Sequence, residues 1–454
     1  MCLYLALPNR NYYWDGIGFS LDVERALKPG AGLFLHPNHI LYNPLGYAGV
    51  RLLGIRSLTF FQSFNSILAS LTLVLLYRTL RYDGTSRDVS AMLVLVFAFS
   101  ATWWKFATDA NSYIVVVLLL VACYRLLASE RPRPLAVALL HTAAILFHQL
   151  AIVFFPAALF GIYTTKRRIR PALVYAVTAA GLTFGAYVLA YRIDGHGPFI
   201  PWMTSHAADA KFTFNPVRDA ALTMQSSIRV FFGGKLSQLR LNAPTLAGIA
   251  LVLITIGYLA RHRVSLSGPP ANGHPHKSLL LVWIGTYLAF LFVWLPQHPF
   301  YRLHYLPALL MLAAPAAERM DRKALAAIAL AVFSWNLAFF TYPNFRPENN
   351  APLAFALSQK ADWPAGTAVV YSRFEPDLWT ISYFNPQAEW IAVQPGDLAD
   401  IEALKQRHAH VWIDSTAHDA IVSTPEGRAW MRANVIDKIV VAGPKYRFAF
   451  HRIS

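Results

Sequence analysis

Residues 11–20 read NYYWDGIGFS, with Tyr12, Tyr13, Trp14 and Phe19 around one carboxylate, Asp15, followed by Gly16. Aromatic side chains of this kind settle at a membrane–water interface. A carboxylate among them sits at headgroup depth, where it is costly unless it is paired or working. Its chemistry there is proton abstraction from an attacking hydroxyl, or the holding of a divalent cation. The bland alternative is a helix cap or a solvated loop acid. Two further groups carry comparable chemistry. LFLHPNHILYNPLGY places His36 and His39 three residues apart, on one face if helical. Such a pair binds phosphate or, joined by an acid, a metal; surface hydrogen bonding is its alternative. PQHPFYRLHY gathers His298, Tyr301, Arg302 and His304. A guanidinium suits a phosphate, and the alternative is an arginine snorkelling to headgroups. His148, within an apolar stretch, reads as a hydrogen-bonded intramembrane histidine. WIDSTAHDA in the tail carries Asp414, Ser415 and His418, but it has no nucleophile elbow and the wrong order for that triad.

The elements that must position these groups are mostly apolar. The chain has 454 residues, a mean hydropathy of +0.39 and 14% charged residues, against about 25% in soluble domains. The net charge of +16 is dispersed in short basic clusters between apolar runs, as the positive-inside rule produces, so no nucleic-acid partner is expected. The two cysteines, Cys2 and Cys123, exclude a disulfide framework and a CxxC metal site. Arginine far outnumbers lysine and alanine is abundant, which points to a GC-rich bacterial genome.

Apolar spans fall near residues 57–77, 89–107, 113–128, 135–147, 148–163, 172–191, 243–260, 278–296, 303–317 and 324–341. The 135–163 stretch would be roughly 44 Å of helix, too long for one crossing of a core about 30 Å thick, and is split at His148-Gln149. Basic clusters (Arg78/Arg81/Arg87; Arg125/Arg131/Arg133; Lys166 to Arg170; Arg261/Arg263/Lys277; Arg319/Arg322/Lys323) then occupy every second connection. Placing all five inside leaves residues 1–56, about 104–113, 148–149, 192–242, 297–302 and everything after 342 outside. MCLYLALP is too short to cross and reads as the end of a truncated first helix. Residues 9–56 read as an external loop with short surface helices. SLSGPPANGHPHK (265–277) reads as a flexible cytoplasmic loop. After residue 342, TAVVYS, EWIAVQ, HVWIDS, KIVVAG and YRFAFHRI are strand-like, with helical DLADIEALKQRH and TPEGRAWMRANV between some of them. The expected fold is therefore an all-α polytopic membrane bundle over residues 1–342. It has about ten full transmembrane helices, a truncated first one and external juxtamembrane helices. A small α/β extracytoplasmic domain follows over 343–454. The expected location is a bacterial cytoplasmic membrane, crossed many times, with the tail outside.

An acid after a first membrane segment, a His/Pro/Asn-rich surface stretch, a long bundle and an exported tail together resemble the GT-C glycosyltransferases. Within these membrane enzymes, which use polyprenyl-phosphate sugars, the protein O-mannosyltransferase and aminoarabinose transferase group is most similar. YYWDGIGFSLDVE resembles that family's first external loop, LFLHPNHILYNPLGY its following HPP.YP-type stretch, and FSATWWKFATDANSY its second external turn. The resemblance covers residues 1 to about 342. It implies a single displacement at the sugar's anomeric carbon, with Asp15 as general base. Arg302, Tyr301, His298, His36 and His39 would bind the substrate and its phosphate. Many relatives carry two adjacent acids in the first loop. Here Gly16 follows Asp15, the next acids are Asp22 and Glu24, and Asp109 stands where relatives often have Glu. Glu24 and Asp109 are the candidates for a second acid. No cofactor is fixed by this pattern, and a divalent metal is the candidate. The implied partners are a lipid-linked sugar donor, a protein, lipid or glycan acceptor, and membrane lipids. A polyprenyl-linked polysaccharide polymerase or ligase is the alternative enzyme. A transporter would show paired broken helices or repeats, and the sequence has neither.

Overall fold

The computed structural model describes residues 1–454 apart from 33, 206–211, 213, 235–242, 263–273, 359–362, 365, 373–375, 394–397 and 444–445. Most of the 265–277 loop, Arg263 and parts of the 192–242 loop lie outside the described residues. The chain forms two compact units. One comprises Met1–Asn9 and Asp22–Pro343, the other Arg10–Leu21 and Asn344–Ser454. Residues 10–21, assigned from sequence to the bundle's external loop, thus belong with the tail.

The first unit is helical. Short α1 (Cys2–Ala6), the helix α2 (Trp14–Ala26) entering from the other unit, and α3 (Tyr42–Leu53) precede the first long helix, α4 (Ser57–Tyr82). Then come α5 (Arg87–Phe99), α6 (Ala101–Ala107), α7 (Tyr113–Leu127), α8 (Pro134–Phe147), a 3-10 turn at Gln149–Phe154, α9 (Phe155–Lys166) and α10 (Ile169–Asp194). Beyond them lie α11 (Phe199–Thr204), α12 (Pro216–Phe231), α13 (Ala243–His262), α14 (Lys277–Val293), a 3-10 turn at Phe300–His304, α15 (Leu306–Glu318) and α16 (Arg322–Asn336). Each expected apolar span is helical. Among the described residues three helical stretches are long and apolar enough to cross a bilayer by themselves: Ser57–Tyr82, Ile169–Asp194, and Arg322–Phe345, in which α16 runs on through Leu337–Thr341 into Tyr342–Phe345. The α5–α6 pair, bent by 69°, makes a fourth candidate, and the other apolar helices are shorter. The break expected in the 135–163 stretch falls at His148, whose backbone is extended (φ −159°, ψ 118°).

Close packing at glycines and bonds from buried amides hold this unit together. A Cβ on Gly46 of α3 would come within 2.2 Å of the Phe61 ring of α4, and one on Gly49 within 2.1 Å of Phe60. The amide of Asn65 on α4 donates to the carbonyls of Asp109 and Asn111, both at 2.7 Å, fixing the turn between α6 and α7. Asn336 donates to the carbonyls of Phe99 (2.8 Å) and Phe231 (2.6 Å) and accepts from the Gly233 amide at 2.9 Å. Each such bond answers a backbone group at a helix end that the helix cannot satisfy itself.

The second unit is α/β. After α17 (Tyr342–Phe345) and α18 (Ala351–Ser358) come β1 (Thr367–Ser372), α19 (Pro376–Phe384), β2 (Glu389–Val393), α20 (Leu398–Arg407) and β3 (His410–Asp414). α21 (Ser415–Ile421), α22 (Pro425–Asn434), β4 (Val435–Gly443) and β5 (Tyr446–Ile453) complete it. The sheet order is β2-β1-β3-β5-β4. β1 runs parallel to β2 and β3, and β5 antiparallel to β3 and β4. Successive side chains of a strand face opposite ways. Ala368 and Val370 of β1 therefore join Val411, Ile413, Ile401, Leu404 and Ile421 on one face. Val369 and Tyr371 join Trp412, Phe450, Phe355 and Ile381 on the other. Both faces of the central strands are covered, which is why TAVVYS is apolar without alternation.

Candidate functional site

In the first unit, the stretch containing His36 and His39 forms a turn rather than a helix, closed by the His39 amide bonding to the His36 carbonyl at 2.8 Å. Its flanking residues Leu35 and Ile40 are buried with Leu146, Tyr187 and Trp202. Polar bonds complete the anchorage. The Leu35 amide donates to Asp194 (2.7 Å), Tyr187 donates to the Pro37 carbonyl (2.9 Å), and the Gln149 amide donates to the Asn38 carbonyl (3.0 Å). Buried backbone groups need such partners, so this turn is held from three sides.

The turn brings the histidines together. The His36 and His39 rings lie 5.1 Å apart, His39 and His148 4.7 Å, and His148 and His304 5.3 Å. Tyr113 lies 5.0 Å from His148, and Tyr301 6.0 Å. His39 Nδ1 is within 2.9 Å of both the Ser112 hydroxyl and the Phe147 carbonyl. The array grades from half-buried His36 to fully buried His304. His36, His39 and Tyr301 are thus neighbours of His148, which reads from sequence as a hydrogen-bonded intramembrane histidine, and of His304, which sequence reading gathers with Arg302 but gives no role. The break at His148, a polar residue ending an apolar helix, was the signal available for it. His298 sits beside the array, its ring 6.0 Å from Tyr301. Burial, helped by the Arg229 charge, pulls its pKa below the usual imidazole range, favouring the neutral form.

Arg302 is 2% exposed, so it does not snorkel to headgroups. Its Nε donates to Ser226 Oγ (2.7 Å), Nη1 to Tyr305 (2.6 Å) and Nη2 to the Pro296 carbonyl (2.9 Å). Leu295, just before that proline, has φ 56°, a sparsely populated region for a side-chain-bearing residue. A guanidinium has five N–H donors, so two lie beyond these three bonds.

The acids separate into different roles. Glu24 accepts from the Ser57 amide (3.0 Å) and hydroxyl (2.8 Å) at the start of α4 and pairs with Arg56 at 3.7 Å. Asp109 is buried, accepts from Asn9 Nδ2 (2.7 Å) and the Ala110 amide (2.9 Å), and ties the chain start to the α6–α7 turn. Asp22 is the acid with the most perturbed environment. Burial raises its pKa to about 6 against the opposing pull of Arg25 at 3.6 Å, with Asn43 and Asp194 also acting on it. Among the described residues no group of three or more His, Cys, Asp or Glu side chains is placed to hold a metal ion.

In the second unit, Asp15 lies half-buried in the first turn of α2. The segment is bound to the tail's start. The Arg10 amide donates to the Asn344 carbonyl (2.9 Å), Asn350 to the Arg10 carbonyl (2.8 Å), and the Tyr12 and Phe384 rings stack at 5.9 Å. Asp414 caps α21 by accepting from the Thr416 and Ala417 amides at 2.9 and 3.0 Å. His418 stacks on His451 at 4.0 Å, which accounts for the Asp-Ser-His run without hydrolysis.

No family model and no curated protein matches this sequence. Among solved structures it is similar to ArnT from Cupriavidus metallidurans bound to undecaprenyl phosphate. The identity is 12% over 99% of this chain and 96% of that chain, with a TM-score of 0.59. The same protein in the apo state matches at 14% identity over 98% and 93%, TM-score 0.44. The oligosaccharyltransferase from Archaeoglobus fulgidus in the apo form matches at 11% over 98% and 70%, TM-score 0.44. The first likeness establishes the fold. It is a mostly helical bundle with a small sheet-containing unit, as expected from the sequence.

Proposed function

We propose that this protein is a membrane glycosyltransferase that moves a sugar from a polyprenyl-phosphate donor to an acceptor at the outer face of a bacterial cytoplasmic membrane. The observation that carries the reading is the fold likeness, over nearly the whole of both chains, to a transferase bound to undecaprenyl phosphate. Ten crossings with the tail outside follow from the alternation of basic clusters.

In the proposed reaction the acceptor oxygen bonds to the anomeric carbon as its proton passes to the Asp15 carboxylate. The anomeric C–O bond breaks with its electron pair leaving on the polyprenyl phosphate. Asp15 supports this role through its carboxylate at a helix start. The leaving phosphate develops negative charge, and fixed donors in a dry site stabilise it. Arg302, with Tyr301, His298, His36 and His39, takes that role in our reading, helped by His148 and His304. The opposed reading of Glu24 and Asp109 as a second acid has less support, since both carboxylates are engaged in structural bonds.

The test is transfer by the purified chain in lipid nanodiscs, supplied with undecaprenyl-phosphate-linked pentoses and hexoses and with a set of protein, lipid and glycan acceptors, reading release of undecaprenyl phosphate together with glycosylated acceptor. Asp15→Asn keeps the shape but cannot take a proton and should drop turnover by about a hundred- to ten-thousand-fold with an unchanged elution profile. Turnover near that of the parent would remove Asp15 from the mechanism. Absence of any release from the parent across the donor set would sink the transferase reading.

A further inference from the structure

Helix α12 (Pro216–Phe231) presents three different faces. The buried one carries Asp219, Ser226 and Val230. Ser226 donates to the Pro296 carbonyl (2.6 Å) and accepts from Arg302 Nε (2.7 Å), and the Thr102 hydroxyl donates to the Arg229 carbonyl (3.2 Å). These bonds tie the helix to α6 and to the loop around Arg302, so it cannot roll about its axis without leaving buried polar groups unpaired.

A second face is apolar and bare. Val217, Ala221, Met224 and Ile228 follow one another at steps of four, three and four residues, one stripe of a helix. Val217 is 81% exposed, Met224 66% and Ile228 56%. Exposed Phe214, just before the helix, adds apolar surface at its start and meets the Phe292 ring edge-on at 6.4 Å. Exposed Phe212 meets Phe290 at 6.1 Å. Phe290 and Phe292 stand near the end of α14, one of the apolar spans. An exposed apolar patch marks an interaction surface; this one adjoins the end of a span, on a helix that cannot turn it inward.

The third face is cationic. Arg218, Gln225 and Arg229, at steps of seven and four residues, share it, and all three are exposed. Neither guanidinium has a hydrogen-bond or ion-pair partner among the described residues. The one acid of the helix, Asp219, is buried and accepts from the Asn215 amide at 2.7 Å. The flanking residues 206–215 and 232–242 include one acid, Asp209, against Lys211, Lys235 and Arg240, so the region is cationic by sequence alone. An apolar stripe beside a cationic one suits a bilayer interface, with acyl chains on one side and headgroup phosphates on the other. A soluble protein would have to reach the stripe past the lipid around α14.

We propose that α12 lies in the membrane interface and binds an anionic lipid surface, its stripe among the upper acyl chains and Arg218 and Arg229 on lipid phosphates. This holds whether or not the chain transfers sugar.

The experiment uses the full chain with its exposed cysteine replaced, Cys2→Ser, and a bimane label on Met224→Cys, Ile228→Cys or Gln225→Cys. The nanodiscs hold equal parts phosphatidylcholine and phosphatidylglycerol and no polyprenyl phosphate. Bromines in the upper acyl chains should quench the labels at 224 and 228 about two-fold or more above the label at 225. Bromines on phosphatidylglycerol should quench 224 and 228 about two- to five-fold more than the same bromines on phosphatidylcholine, since one arginine at an anionic surface is worth up to about five-fold in lipid occupancy. Arg218→Gln combined with Arg229→Gln should bring that ratio close to one and keep the quenching itself. Weak and equal quenching at all three positions would mean that protein, this chain or a second copy, covers the stripe, and overturns the proposal. Strong quenching without preference for phosphatidylglycerol in the parent, or a preference that the double variant keeps, overturns the anionic partner.

Discussion

Asp22 shows how a single carboxylate can report its surroundings. Burial sets its pKa at about 6 despite Arg25, above the value of about 3.9 for an unfolded aspartate. Between those two values the folded chain binds more protons than the unfolded one, so stability falls as pH rises through that window and is lowest above about pH 6. Asp22→Asn removes the charge that burial opposes. Its apparent melting temperature should exceed the parent's at pH 8, and the gap should open between pH 4 and 6 and stay constant above. A variant that melts lower than the parent at pH 8 would mean that ionised Asp22 is held by partners stronger than its burial. Glu24 asks the opposite question. Its carboxylate satisfies the Ser57 amide and hydroxyl, so Glu24→Ala should cost about 0.5–2 kcal/mol of stability, as for a lost helix cap, and leave turnover within a few-fold. A hundred-fold loss of turnover with the fold intact would make it the second acid after all. The pairing of His36 with His39 was legible from their spacing, although as a turn rather than a helix. Asp22 and His148 were not, because burial by distant helices decides both, and a lone sequence does not state which helices meet.

At the scale of elements, apolar runs translated directly into helices and strand-like runs into strands, because periodicity and β-branched content act locally. The α/β tail was readable strand by strand. Crossing length was less so: helix α8 ends at Phe147 because His148 is extended, and α5 bends into α6 by 69°, so apolar length overstated continuous helix. Helix pairing left a fainter trace, in glycines that read from sequence only as weak helix formers. Gly46 of α3 lies against the fully buried Phe61 ring of α4, 2.2 Å from where a Cβ would stand. That ring has nowhere to retreat, so Gly46→Ala should destabilise by about 1–3 kcal/mol through overpacking. Gly181 and Gly185 of α10 have nothing within 4 Å of the same position. Alanine there should be neutral or stabilising by up to about 1 kcal/mol. Urea or thermal unfolding of the three variants, followed by tryptophan fluorescence, reads the contrast. Equal effects at Gly46 and Gly181 would mean that the α3–α4 contact tolerates a methyl group.

At the scale of the whole molecule, the chain does not divide at one point. The α/β unit begins with residues 10–21, far from the rest of it in sequence. A composition shift near residue 343 marks where the tail starts but carries no sign of a segment returning from the N-terminus, since that segment is too short to have a texture of its own. Its bonds are specific: the Arg10 amide to the Asn344 carbonyl, Asn350 to the Arg10 carbonyl, Asn11 to Asn344 at 3.1 Å, and the stacked Tyr12 and Phe384 rings. Gly18 also sits against Trp379, 3.7 Å from where a Cβ would be. At about 0.5–1.5 kcal/mol for each hydrogen bond, these contacts together are worth roughly 2–4 kcal/mol, offset in part by the cost of ordering the segment. The prediction compares two soluble chains, residues 344–454 alone and the same residues preceded by 10–21 through a twelve-residue Gly/Ser linker. The eight helical residues 14–21 extend about 12 Å, and such a linker spans roughly 19 Å, so it can return to residue 344. With about 4–8 °C per kcal/mol for a unit of this size, each kcal/mol of net gain should raise the melting temperature of the linked chain by that much over the tail alone. Arg10→Pro, which removes the amide that bonds to Asn344, should erase much of the gain. Equal melting of the two chains would show that residues 10–21 merely rest on the tail. If the gain appears, the candidate base Asp15 is carried by the α/β unit's own fold, and substitutions that loosen that unit should lower turnover without touching the histidine array.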